Sequence, residues 1–148
     1  MSIVRQFLNS KEESEIIDAI REAEKNTSGE IKVHLESSSK KDPLDRAAEV
    51  FDALDMNNTD LRNGVLIYIA VKDRSLAIIG DQGIDEVVPN DFWNDSKDRI
   101  LKGFSSGNMK QGLIDGILVS GQAMKKYFPY QDGDINEISD DISSKNEL

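Results

Sequence analysis

Residues Val65 to Val71 form an unbroken apolar run, VLIYIAV, rich in β-branched and aromatic side chains, and no other stretch limits the fold as strongly. A run of this length without a polar alternation suits a strand covered on both faces. It is too short to cross a bilayer. Lys72, Asp73, Arg74 and Ser75 interrupt it with turn-forming residues, and Leu76 to Ile79 then resume the apolar pattern. The spacing predicts a tight hairpin of two buried antiparallel strands, with Gly64 and Gly80 at its open ends.

The flanking segments supply what such a hairpin needs. Ser10 followed three residues later by Glu13 is a capping-box pattern, and Ile16, Ile17, Ile20 and Ala23 recur on one face of the helix it would start. Ile31, Val33 and Leu35 alternate with Lys32, His34 and Glu36, which predicts a strand with one buried and one wetter face, read as an edge strand. Asp42 and Pro43 supply an N-cap and a first-turn proline for a second helix carrying Leu44, Ala47, Ala48, Phe51 and Leu54. Strand, helix and the hairpin's first strand make a β-α-β unit, so the first two strands are expected parallel. Beyond the hairpin, Asn90 or a neighbour is expected to cap a helix with Phe92, Trp93, Ile100 and Phe104, and Asn108 to cap a last one. Gly112 and Gly116 sit one turn apart in that last helix, where close backbone packing would offset their low helix propensity.

These elements define a single-domain α/β/α sandwich, a small mixed sheet with a central β-hairpin and helices on both faces, over residues 1–130. Residues 131–148 carry six acids and one lysine, a charge of −5, and few apolar side chains. They read as an acidic flexible C-terminal tail dispensable for folding.

Composition narrows function. The chain has no cysteine, which removes thiol catalysis and thiolate zinc sites. With 28 acids against 18 basic residues it lacks the basic excess that a phosphate backbone requires, so nucleic acid is not expected as a partner. The N-terminal segment reads as neither signal peptide nor membrane anchor, so a soluble, cytoplasmic protein without direct membrane insertion is expected.

Four separated motifs, TSGEI at 27–31, RNGVLIYIAVKDR at 62–74, IIGDQGIDEVVP at 78–89 and FSSGNMKQGLIDGI at 104–117, resemble the TPM domain family in the right order. The likeness runs over about residues 5–129, and the tail sequence NEISDDIS resembles the ends of small soluble bacterial members. The resemblance implies an α/β/α sandwich. Some relatives are membrane-anchored; chloroplast relatives are linked to photosystem II repair, with an attributed phosphatase activity and a bound divalent cation.

Two ends of the sheet are open to chemistry. At the end where the parallel strands begin, Asn63 and the acids Asp81, Asp85, Glu86 and Asp91 offer hard oxygen ligands suited to Ca2+ or Mg2+. Asp85 stands where relatives carry an acidic residue in their G-x-G-L-E loop. The alternative is a set of solvated loop acids that end strands and cap the next helix. At the other end Ser37, Ser38, Ser39 and Asp42 approach Lys72, Asp73 and Arg74, where a plain loop and hairpin turn is the simpler reading. His34, the one histidine, reads as a surface or half-buried pairing residue, and a serine triad would have to recruit it. Asp132, Asp134 and Asn136 imitate an EF-hand start, but Glu137 and Ser143 occupy the positions that need glycine and glutamate.

Two functions follow as expectations. One is a Ca/Mg-binding module that engages or regulates another protein. The alternative is a metal-assisted phosphatase of low activity on the same acidic loop, for which no nucleophile or base can be named.

Overall fold

The computed structural model describes residues 7–130, 138, 140 and 142–144. Along the chain run α1 (Ser10–Glu24), β1 (Glu30–Glu36), α2 (Pro43–Ala53), β2 (Gly64–Ala70), β3 (Ser75–Gly80), a short α3 (Gln82–Asp85), α4 (Asn94–Ser106), α5 (Met109–Lys125) and β4 (Ser143–Ser144). The four strands form one mixed sheet in the order β3-β2-β1-β4. β1 and β2 are parallel, from Glu30 opposite Gly64 to Glu36 opposite Ala70, as a crossover through α2 requires. β3 returns antiparallel through the expected hairpin, from Ala70 opposite Ser75 to Val65 opposite Gly80.

The apolar run does what its composition demands. All seven residues of β2 are buried, and alternate side chains enter different cores. Val65, Ile67 and Ile69 join Ile31, Val33, Leu35 and Ile78 in a large cluster filled from the helices by Ile16, Ile20, Ile100, Leu113 and Ile117. Leu66, Tyr68 and Ala70 face the other way, against Ala47, Val50 and Phe51 of α2. The sheet is thus covered by α1, α4 and α5 on one face and by α2 on the other, the sandwich expected from the pattern.

Three local expectations are corrected. The cap of α1 is Asn9, one residue before Ser10: its side chain accepts from Glu12 N at 2.8 Å while Glu12 Oε1 accepts from Asn9 N at 3.1 Å. Asn9-x-x-Glu12 and Ser10-x-x-Glu13 are overlapping box patterns, and asparagine caps as well as serine does. Phe92 and Trp93 precede α4 instead of lying within it; a turn carried by Phe92 N–H to Pro89 C=O stands there, and the two rings meet edge to face at 4.6 Å. Residues Gln82–Asp85 form the short helix α3, capped by Asp81, where the acidic stretch is expected to be a loop.

The glycines of α4 and α5 bear out the packing argument. A Cβ placed on Gly112 would lie 2.7 Å from Gly103 Cα, and one on Gly116 2.6 Å from Ile100 Cγ1. The first obstacle is backbone, which cannot swing aside. Gly112→Ala is therefore expected to lower stability by about 1–3 kcal/mol as overpacking, despite the better helix propensity of alanine. Equal denaturation midpoints for the variant and the parent would rule out this close approach.

The largest correction concerns β1 and the tail. β1 is no edge strand among the described residues: β4 pairs parallel to it, His34 opposite Ser143 and Leu35 opposite Ser144, and all seven β1 residues are buried. Ile142 is only 4 % exposed and belongs to the large core. Ile138 N–H donates to Glu30 Oε1 at 2.8 Å, and Asp140 lies 3.5 Å from Arg21 Nε. At these positions the segment packs on the domain, contrary to the expectation of a wholly flexible tail. Elsewhere that expectation falls on residues 131–137, 139, 141 and 145–148, outside the described ones, as does the start of the rejected EF-hand pattern.

Candidate functional site

At the end where β1 and β2 begin, the backbone itself ties the loops together. Glu30 N–H donates to Asn63 C=O, Asp81 N–H to Gly64 C=O and Gly83 N–H to Arg62 C=O. Gly83 is needed for this last contact, since a Cβ there would lie 2.3 Å from Leu61 O. Arg62, held in the left-handed region at φ 51°, reaches across to Asp81 with two parallel bonds, Nε to Oδ2 at 2.8 Å and Nη2 to Oδ1 at 3.0 Å. Asp81 Oδ1 also accepts from Gln82 N at 2.8 Å, which caps α3. The Asp81 carboxylate raises the Arg62 pKa through those hydrogen bonds.

Each expected cation ligand can now be placed. Asp81 is buried and engaged by Arg62. Asn63 is buried, and its side-chain amide donates to Ser28 C=O at 2.9 Å. Asp85, Glu86 and Asp91 are exposed, Glu86 accepting from Gln82 Nε2 at 3.0 Å. Among the described residues no three His, Cys, Asp or Glu side chains are grouped so that they would hold a metal ion. A cation brought to Asp81 would meet a guanidinium already seated there, so these residues do not fit a closed, all-protein cage of the kind a resident Ca2+ occupies.

The opposite end holds a buried polar cluster that sequence reasoning did not find. Glu36, 1 % exposed, accepts from Tyr68 Oη at 2.7 Å, from Arg46 Nε at 3.0 Å and, through its other oxygen, from Arg46 Nη2 and from His34 Nε2 at 3.1 Å. The His34 and Tyr68 rings stack at 5.9 Å. Burial alone would raise the Glu36 carboxyl, but the hydrogen bonds from Arg46, Tyr68 and His34 outweigh it and hold it at about 2. Burial lowers the His34 pKa against the pull of Glu36, and burial, then Glu36, raises that of Tyr68. With Glu36 ionised and able only to accept, the neutral imidazole places its proton on Nε2, so Nδ1 accepts from Ser143 Oγ at 2.9 Å. His34 is therefore fully buried, not the surface or half-buried residue expected from its place on the polar face.

Ser143, His34 and Glu36 have the order of a nucleophile, base and orienting carboxylate, yet Ser143 and His34 are both 0 % exposed and a substrate cannot reach them. The cluster is structural. The signal that could have found it is register: in a β-α-β unit His34 falls opposite Tyr68, the one polar residue inside the apolar run. Outside the cluster, Ser38 Oγ and Ser39 N–H both donate to Asp73 Oδ2, at 2.8 and 3.1 Å, so the expected approach of that loop to the hairpin turn is present. Two basic side chains beside it are matched by acids, Lys41 with Glu49 at 3.0 Å and Arg46 with Glu36 and Glu49.

Both sheet ends belong to one small α/β domain built on a four-stranded mixed sheet. The TPM domain profile matches residues 4–123, and the chain belongs to the TPM domain family. It is 53 % identical to the BA42 protein of the psychrophilic bacterium Bizionia argentinensis, whose NMR structure superposes with a TM-score of 0.89 over 97 % of this chain and 99 % of that one. The N-terminal domain of a protein from P. gingivalis, at 20 % identity and a TM-score of 0.67 over 84 % and 82 % of the two chains, shares the fold. So does the N-terminal domain of the cg2496 protein from Corynebacterium glutamicum, at 15 % and 0.65 over 80 % and 75 %. No curated protein matches. Among the described residues no helix is long and apolar enough to cross a membrane.

Proposed function

We propose that this TPM domain is a non-catalytic, divalent-cation-responsive module that engages another protein through the loop end of its sheet. The observation that carries this reading is the Arg62–Asp81 clamp: it fixes the backbone of two loops while Asp85, Glu86 and Asp91 stay exposed around it. Such carboxylates repel one another, and a hydrated Ca2+ or Mg2+ collecting among them relieves that repulsion without displacing Arg62. Asp81 and Asn63 act here as scaffold. Leu61 and Val87, 53 % and 52 % exposed at the same end, give a protein partner apolar surface beside the charge.

Calcium is expected to raise the melting temperature, by about 1.4 kcal/mol of stability at a tenfold excess over Kd. Amide shifts should concentrate between Asn63 and Asp91 and weaken in Asp85→Asn. No response at millimolar calcium would end the cation half of the proposal. Hydrolysis of p-nitrophenyl phosphate that requires the cation and is lost in Asp85→Asn would favour the phosphatase reading instead.

A further inference from the structure

A pair of carboxyls meets at the outer edge of β1. Glu24, the last residue of α1, is half-buried there and accepts from Ile31 N–H on Oε2 at 3.0 Å. Asp140 reaches the same carboxyl from the segment that carries Ile138, Ile142 and Ser143, and the two side chains line one cleft with Arg21, Lys25 and Tyr130. The neighbours of Asp140 fix it in place: Ile142 fills a position in the large core, Ser143 Oγ meets His34 Nδ1, and Ile138 N–H is taken by Glu30 Oε1. Ionised carboxylates only accept, so the hydrogen bond between Glu24 and Asp140 contains a proton. The charges around the pair do not replace that proton. Arg21 Nε stands 3.5 Å from Asp140 Oδ2 on a side chain 61 % exposed, Lys25 turns to Glu22 at 3.2 Å, and Glu30 adds a negative charge from β1. Asp140 Oδ1 is buried and meets no other donor among the described residues, which leaves the shared proton to satisfy it.

We propose that Glu24 and Asp140 form a proton-operated latch: one shared proton holds Ile142 and Ser143 against β1, and its loss sets two carboxylates against each other and releases that edge. Burial first, and then the bond to Asp140, raises the Glu24 carboxyl to about 9 from its ordinary 4.5, while the Ile31 N–H pulls the other way. With the segment off the edge, Glu24 loses Asp140 and part of its burial and returns towards the ordinary value. The seated form binds the proton more tightly, so rising pH favours release. Seating is complete below about 4.5, weakens about tenfold for each pH unit from there to about 9, and levels off above. Release would take Ile142 out of the core and Ser143 away from His34, and it would leave two β1 positions, His34 and Leu35, without their backbone partners.

The test follows the full chain by NMR from about pH 6 to about pH 10, a range that brackets the raised carboxyl. The Glu24 carboxyl carbon reports the proton, the Ile142 δ1 methyl reports the seat, and the Ile67 δ1 methyl reports the rest of the core. In the unaltered chain the Ile142 methyl is expected to move towards the position of an exposed isoleucine as Glu24 ionises, while the Ile67 methyl stays where it is. Glu24→Gln keeps an oxygen for Ile31 N–H and gives Asp140 a permanent N–H donor, so its Ile142 methyl should hold still across the range. Asp140→Asn supplies the donor from the other side and serves as the second variant: its Ile142 methyl should also hold still, and its Glu24 midpoint should fall by at least about one unit. A Glu24 midpoint below about 6 in the unaltered chain would overturn the latch. So would an Ile142 methyl that stays in place throughout, or one that moves equally in the unaltered chain and in Glu24→Gln.

Discussion

Glu36→Ala should be among the most damaging single substitutions in the molecule, costing about 3–5 kcal/mol, because it leaves Tyr68 and His34 facing no carboxylate and the half-buried Arg46 with Glu49 alone as counter-charge among the described residues. The Arg46 side chain is only 19 % exposed and directs its fork at Glu36, while Tyr68 and His34 each lose a partner in a place water does not reach. Acid titration should reproduce part of this loss. The carboxyl stands at about 2 in the fold against its ordinary 4.5, so its contribution is complete above the unfolded value and disappears as pH falls from 4.5 towards 2. The shift sets a scale of about 3 kcal/mol for that window, and Glu36→Gln should flatten it. Denaturant unfolding of Glu36→Ala within about 0.5 kcal/mol of the parent would show that the cluster is dispensable.

Ile67→Ala is expected to cost about 2–5 kcal/mol. Ile67 sits in the middle of β2, fully buried, with Val33 beside it on one neighbouring strand and Ile78 on the other. Three helices press on the same face through Ile20, Ile100 and Ile117, so the vacated volume is walled by elements that cannot all close in at once. Leu44→Ala, at a leucine 57 % exposed on α2, should change stability by less than about 0.5 kcal/mol and calibrates the comparison. A loss below about 1 kcal/mol at Ile67 would deny β2 its central place.

The sheet was legible because its signals are local and redundant. The β2 run, the turn at 72–75 and the Asp42-Pro43 start of α2 each carry their own chemistry, and the β-α-β handedness rule then leaves one arrangement of β1, β2 and β3. The cap of α1 was displaced because two box patterns overlap by one residue, and composition does not choose between them. The polar cluster and β4 escaped for a different reason. Glu36 and Arg46 look like surface charges until the crossover folds α2 over β1, and Ser143 belongs to a segment whose composition says solvent while its few apolar residues, Ile138 and Ile142, say otherwise. Topology does bring Asn63 and Asp81 to one end of the sheet, where Asp81 N–H bonds Gly64 C=O. What could not be read was that Arg62, adjacent to Asn63 in sequence, answers Asp81 first.

The pairings of the sheet also differ in how much chain each encloses. Ala70 and Ser75 are joined by four residues, Glu36 and Ala70 pair across a separation of 34, and His34 and Ser143 across 109. Closing a larger loop restricts more of the chain before any contact compensates it, and the penalty grows with the logarithm of length. The hairpin is therefore the cheapest nucleus, the crossover comes next, and β4 is the costliest strand to place while forming the fewest backbone pairs among the described residues. Loop closure thus ranks these strands in an order of assembly, with the shortest strand falling last.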